Sequence, residues 1–177
     1  MQIRPYESKY AAQIAALLNH YLPFEPESDE TVDQAGGVRF LCINDENEVV
    51  GYIAGYIIEA FHADFPYFND ELNELEHIVT QNKSVYSSHF VVHPAYRKMG
   101  IGSKLVAAYV EAAQKIAQKI VVVGWVQSDT NKWAAEQQFK IQGFSSFKYI
   151  PRYFEPYEVD CPSCSGLCYC DAHIFIK

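Results

Sequence analysis

No window of this chain comes near the eighteen or so consecutive apolar residues that a membrane-spanning helix needs. Its opening, MQIRPYESKY, holds no apolar stretch of the kind that directs export. The two absences predict a soluble, cytoplasmic protein with no membrane partner. Basic residues are outnumbered, 14 Lys and Arg against 22 Asp and Glu, for a formal net charge of −8. Nucleic-acid binding normally leaves a basic stripe, so that class of partner is not expected. No internal repeat, low-complexity tract or dividing linker interrupts the 177 residues, a length that suits one domain with a sizeable core. A 49% hydrophobic and 15% aromatic content marks a globular chain rather than a disordered one.

The acids that are present cluster. Residues 25–33 hold five and residues 59–76 hold six, with no Lys or Arg in either run. Each run reads as solvated surface or as an acidic rim that attracts an amine.

Periodicity orders the elements. A strand is expected at 2–6 and a helix at 9–20, capped by Ser8 and apolar at Ile14, Leu17, Leu18 and Tyr21. A short helix falls between Ser28 and Ala35, and Gly36-Gly37 breaks the chain. VRFLCI, the turn NDENE and VVGYIAGYII form a hairpin. Residues 64–82 begin irregularly and become helical through Leu72, Leu75 and Ile78/Val79. A strand at 84–92 precedes a helix at 100–118, with Ile101, Leu105, Ala108, Ala112 and Ile116 along its apolar face. IVVVGWV (120–126) is a buried strand, 131–142 a helix stopped by Gly143, and FSSFKYI and AHIFI are final strands. The order is that of an α/β fold.

The segment HPAYRKMGIGSK, 93–104, carries the chemistry. Pro94 has no N–H for a sheet ladder and ends the preceding strand. Gly100 and Gly102 bare the backbone where a helix begins. The first-turn N–H groups there have no internal partner, and the macrodipole adds partial positive charge. Phosphate oxygens suit such a site. Arg97 and Lys98 add mobile charge and Ser103 a hydroxyl. A Walker loop does not fit, because no upstream glycine stands at the required distance. A dinucleotide fingerprint does not fit, because Leu105 stands where a third glycine belongs.

The stretch VVHPAYRKMGIGSKLV closely resembles the acyl-CoA-binding motif of the GNAT superfamily of N-acyltransferases, V-x-P-x-[YF]-R-x-x-G-[IV]-G-x-x-L, from Val92 to Leu105. The element order is similar over nearly the full length, and FKIQGF (139–144) resembles the family's Y-x-x-x-GF segment. The resemblance implies a single domain over 1–177: a mixed central sheet flanked by helices, with strands 84–92 and 120–126 splayed apart. It implies acetyl-CoA as co-substrate. Amides of Lys98, Met99, Gly100, Ile101, Gly102 and Ser103 would hold the pyrophosphate beside Arg97. Val91 and Val92 would pair with pantetheine, and Asn131 and Phe139 would line the coenzyme.

Acyl transfer to an amine needs a base, an oxyanion donor and a proton for the leaving thiolate. A backbone N–H near Val92 is the expected donor. The family often places a tyrosine where Phe139 stands, and phenylalanine donates no proton; Tyr149, Tyr153, water or the substrate are the alternatives. His89, beside Ser88, is the candidate base or else a satisfied structural histidine, with Glu76 and His77 as other candidates. Strict alternation sets His89 on the face opposite Val92, and a bulge between them would reverse that. The expected acceptor is a cationic small molecule or a basic peptide end, attacked directly in a ternary complex by a monomer or homodimer. The alternative is a non-catalytic CoA-binding or zinc-stabilised module.

Cys42 reads as a small buried hydrophobe. The other four thiols, Cys161, Cys164, Cys168 and Cys170, crowd a loop between the last two strands as C-x2-C-x3-C-x-C. Zinc, thiol–disulfide chemistry and unliganded thiols are all open, with C-x2-C a usual half of a tetrahedral zinc site.

Overall fold

Runs rich in Val, Ile, Tyr and Phe become strands because branched and aromatic side chains fit a pleated, half-buried surface. A computed structural model describes residues 1–22, 26–64, 70–158, 160–161 and 163–177. In chain order the elements are β1 (Gln2–Pro5), α1 (Ala11–Tyr21), α2 (Asp29–Gln34), β2 (Val38–Ile43), β3 (Val49–Ile57), α3 (Phe61–Asp64), α4 (Asn73–Gln81), β4 (Ser84–Val92) and α5 (Ile101–Ala113). There follow β5 (Lys119–Val126), α6 (Glu136–Ile141), β6 (Ser145–Ile150), a small hairpin of β7 (Asp160–Cys161) and β8 (Gly166–Leu167), and β9 (Asp171–Ile176). The expected start of the first acidic run, Glu25, and residues 65–69 of the expected irregular segment lie outside the described residues.

Seven strands form one sheet in the order β1-β2-β3-β4-β5-β9-β6. Every pair is antiparallel except β4–β5. This is the mixed, helix-flanked α/β architecture expected. Alternation sorts the side chains. On one face Val50, Ile53, Val85 and Val122 pack under α5 with Phe139 and Phe175. On the other, Leu41, Tyr52, Ala54 and Val91 meet α1 and α2. Beside that second cluster, Tyr86, Val121 and Ile174 are covered by Leu72, Leu75 and Val79 and by the 153–170 segment. Among the described residues no helix is long and apolar enough to cross a membrane.

Three boundaries differ from the sequence reading. Ser8 starts a one-turn 3-10 helix and does not cap α1, whose N-cap is Tyr10. α5 ends at Ala113, and its buried face is Ile101, Leu105, Val106, Tyr109, Val110 and Ala113, while Ile116 is exposed. The stripe is rotated because Tyr109, polar at its tip, buries its whole ring over β3. The helix expected at 131–142 is one short element, α6; Asn131 precedes it in a turn with φ 52°.

Gly55 makes that burial of Tyr109 fit. A Cβ added at Gly55 would lie 2.5 Å from the Tyr86 carbonyl oxygen and against the Tyr109 hydroxyl. Gly55→Ala should therefore destabilise the fold by about 1–3 kcal/mol, the usual cost of overpacking. A thermal melt would read this as a fall of several degrees in Tm.

Candidate functional site

β4 and β5 pair only where Ser84–Ser87 lie beside Lys119–Val122. Beyond Ser87, β4 stays hydrogen-bonded to β3 and β5 stays hydrogen-bonded to β9. The ladder between them opens into a gap, the splay expected at this pair. Backbone groups of successive residues point to alternate sides of a strand. The His93 N–H donates to the Val50 carbonyl at 2.9 Å, toward β3. Val91 therefore turns its backbone to β3 as well, and Phe90 and Val92 turn theirs to the gap. Of the two valines expected along a pantetheine arm, Val92 alone presents its amide there. Val91 puts its side chain among α1 and α2 instead.

The gap leads to the mouth of α5. Pro94 opens a 3-10 turn capped by the His93 imidazole, which accepts from the Ala95 N–H at 3.2 Å. Lys98 (φ 64°) and Gly100 (φ 78°) are both left-handed and bend the chain into the helix. Gly100 is the N-cap and has no side-chain cap. The first carbonyl bond into the helix is Lys104 N–H to Gly100 O at 3.1 Å. The amides of Ile101, Gly102 and Ser103 lie ahead of it and have no helical acceptor. Ile101 contributes only its amide, since its side chain is core, whereas Met99 is exposed. Gly102 lies against Phe90; an added Cβ would sit 3.2 Å from that ring. Arg97 is held at the rim by its Nε, which donates to the Val92 carbonyl at 3.0 Å. These bare donors and rim cations fit a diphosphate.

The other face of β4 carries the candidate base. Ala54 pairs with His89 and Gly55 with Ser87, so Ser88 is an extra residue on β4. This bulge precedes His89 and does not lie between His89 and Val92, where it would have reversed the alternation. His89 therefore stays on the face opposite Val92. Ser88 and His89 both line one pocket, of about 190 Å³, with Leu18, Glu27, Val32 and Tyr52. Ser88 Oγ lies 3.1 Å from His89 Nδ1, and Glu27 Oε1 lies 3.6 Å from His89 Nε2. Burial pushes the Tyr52 hydroxyl up to about 12, so it enters the pocket as a neutral phenol.

Glu27 was not singled out in the sequence. Its support is local. The Asn19 side chain donates to the Glu27 carbonyl and accepts from the Glu27 N–H, both at 2.7 Å. The Thr31 hydroxyl donates to Glu27 Oε2 at 2.6 Å, and Thr31 with Ser28 forms the capping box of α2. The Ser28–Thr31 spacing ahead of Val32 was the available signal. Two other acids of the rim have side-chain partners. Glu71 pairs with Lys148 at 2.6 Å and Glu76 with His62 at 2.9 Å. Glu76 and His77 lie on α4, away from the pocket lining.

Phe139 is 1% exposed and packs on Phe90, Trp133 and Phe144, so it is core and not a pocket wall. Asn131, in its turn, bonds back to the Gln127 carbonyl through its amide at 2.7 Å. Tyr149 donates its hydroxyl to Asp171, which pushes it up to about 12. Tyr153 is 2% exposed. The four clustered cysteines lie on the pocket side of the sheet, all Sγ atoms within 4.8 Å of one another. Burial pushes the Cys161 and Cys168 thiols up. At Cys164 burial is outweighed by hydrogen bonds, from Ser128 and the Tyr169 backbone first, and the thiol is pushed down to about 7.

The model of the Acetyltransferase (GNAT) family matches residues 10–144. No curated protein sequence matches the chain. Arabidopsis thaliana NAA60 in complex with acetyl-CoA is similar with a TM-score of 0.68 and 15% identity, over 99% of this chain and 97% of that one. Ribosomal-protein-alanine N-acetyltransferase from Brucella melitensis gives 0.67 and 16%, over 100% and 99%. Arabidopsis thaliana Naa50 in complex with the bisubstrate analogue CoA-Ac-MVNAL gives 0.64 and 19%, over 99% and 97%. At such identities the likeness concerns the fold. The family match spans the strand, turn and helix that build the socket, and the chain belongs to the GNAT acetyltransferase family.

Proposed function

We propose that the protein transfers the acetyl group of acetyl-CoA to a primary amine by direct attack in a ternary complex. One observation carries the reading: the opened β4–β5 ladder and the bare mouth of α5 follow one end of β4, and Ser88 and His89 of the same strand line a pocket on its opposite face. Coenzyme and acceptor would thus approach one strand from opposite sides and be bound together. Similar solved structures hold acetyl-CoA or a bisubstrate analogue, which supports the same pairing of ligands here.

In this reading the α5 amides and Arg97 hold the pyrophosphate, and the Val92 N–H faces the acyl carbonyl. His89 takes the proton that an ammonium must lose before it attacks. Ser88 and Glu27 fix the ring, and Glu27 offsets the charge the ring acquires. Phe139 supplies no proton to the thiolate. Tyr149 is engaged with Asp171, so the proton comes from the attacking amine or solvent.

Glu27 is the one carboxylate among the described pocket residues, and the remaining wall is largely apolar and aromatic. That pairing suits a small cationic head beside an apolar group, as on a peptide end or a short amine. The test is incubation with acetyl-CoA and a panel of small amines, polyamines and peptides, following release of free thiol. We expect release that requires an amine and saturates in both substrates. Binding of coenzyme with no release from any amine would leave a binding module instead.

A further inference from the structure

The geometry points to a structural zinc ion held by Cys161, Cys164, Cys168 and Cys170, which clasps the loop between β6 and β9 to the end of β5. This site is separate from the acetyl-transfer reading and does not depend on it.

Four thiolates around zinc at about 2.3 Å form a tetrahedron with S···S edges of about 3.8 Å. The Cys161–Cys170 and Cys164–Cys170 sulfurs lie at 3.9 and 3.5 Å, and no pair of the four exceeds 4.8 Å. All are free thiols, gathered as one group rather than as two pairs. Three of them are buried, although the chain around them is short of apolar residues.

The backbone is shaped to stabilise negative sulfur. Cys161 and Cys164 are joined by a tight turn, with the Cys164 N–H on the Cys161 carbonyl at 3.1 Å. Ser165 (φ 56°) and Gly166 (φ 155°) then turn the chain back, so that β8 pairs with β7. The Cys168 sulfur accepts from the Cys170 N–H at 3.4 Å. Ser128 Oγ lies 3.2 Å from the Cys164 sulfur and donates to it once that sulfur is a thiolate.

Binding breaks four S–H bonds and forms four Zn–S bonds. Four protons leave to solvent and no electron moves. The coordination is closed, so the ion has no open position for catalysis. Its role is to anchor. Gln127 and Ser128, just after β5, reach Ser163 and Cys164 at 3.0 and 3.2 Å. Phe154 stacks on Trp125 of β5 at 3.7 Å. The ion would fix this wall of the sheet's pocket side, adding to the packing of Tyr153 and Phe154 there.

Metal analysis of the full chain, purified without chelator, is the test. We expect one zinc per chain and four thiols shielded from alkylation until a chelator is added. Removal should lower Tm, and zinc should restore it. Cobalt in place of zinc should give the intense thiolate charge-transfer band of a tetrahedral site. Cys161→Ser and Cys170→Ser should lose the ion, while Cys42→Ser keeps it. Metal-free protein with four reactive thiols, a disulfide between any two of the four, or stoichiometric iron would each overturn the proposal. Because the first readout is the composition of the unaltered protein, misfolding of a variant does not blunt it.

Discussion

Replacing Gly100 with valine should remove coenzyme A binding, with calorimetric affinity falling on the order of 100-fold or more. Two effects combine. At φ 78° the residue is left-handed, a conformation that costs a residue with a Cβ about 1–2 kcal/mol. A Cβ there also meets nothing within 4 Å, so it stands in the open space ahead of the helix, where phosphate would lie. Hydrogen bonds to charged acceptors contribute about 1.5–3 kcal/mol each, and misplacing two of the amide donors accounts for the loss. Arg97→Gln should cost far less, since an exposed charge contributes little in water. Circular dichroism is the check that the variant folds. Unchanged affinity in a folded Gly100→Val protein would refute the socket.

The second large effect is kinetic. His89→Ala should lower kcat by about 10²–10⁴, the usual contribution of a positioned base, with little change in coenzyme affinity. The pH profile carries the argument. A base must be neutral to accept a proton, so the rate should rise with pH until the imidazole is deprotonated. That limb should vanish in His89→Ala. Glu27→Gln keeps the shape and removes the negative charge 3.6 Å from Nε2. A carboxylate favours the protonated ring, so the limb should move to lower pH. A His89→Ala profile superimposable on the parent would make His89 a structural residue.

Local chemistry made the socket legible. Proline, two glycines and a basic pair act within a dozen residues, and the structure joins them as their spacing implies. The pocket was much less so. Its charge partner Glu27 reaches His89 across 62 positions in sequence (89 − 27), and only the packing of α1 and α2 on the sheet brings them together. Whether a bulge would reverse the facing of His89 was not legible, because nothing in YSSHFVV distinguishes an extra residue at Ser88 from one farther on. The apolar face of α5 was misread for a related reason. Tyr109 is polar by composition and buried by the space Gly55 leaves. The acidic rim looked unopposed because Lys148 lies 77 residues from Glu71 (148 − 71).

The opening beyond Ser87 differs in kind from a free sheet edge. Unfilled ladder positions at a sheet's rim recruit foreign strands and seed aggregates. Here such positions lie mid-sheet, between two neighbours that are themselves fully engaged on their outer sides. Strands pack about 4.8 Å apart, so an extended chain that filled both open ladders would have to lie singly between β4 and β5. The unpaired seam is thus set inside the sheet and at neither of its two edge strands, β1 and β6.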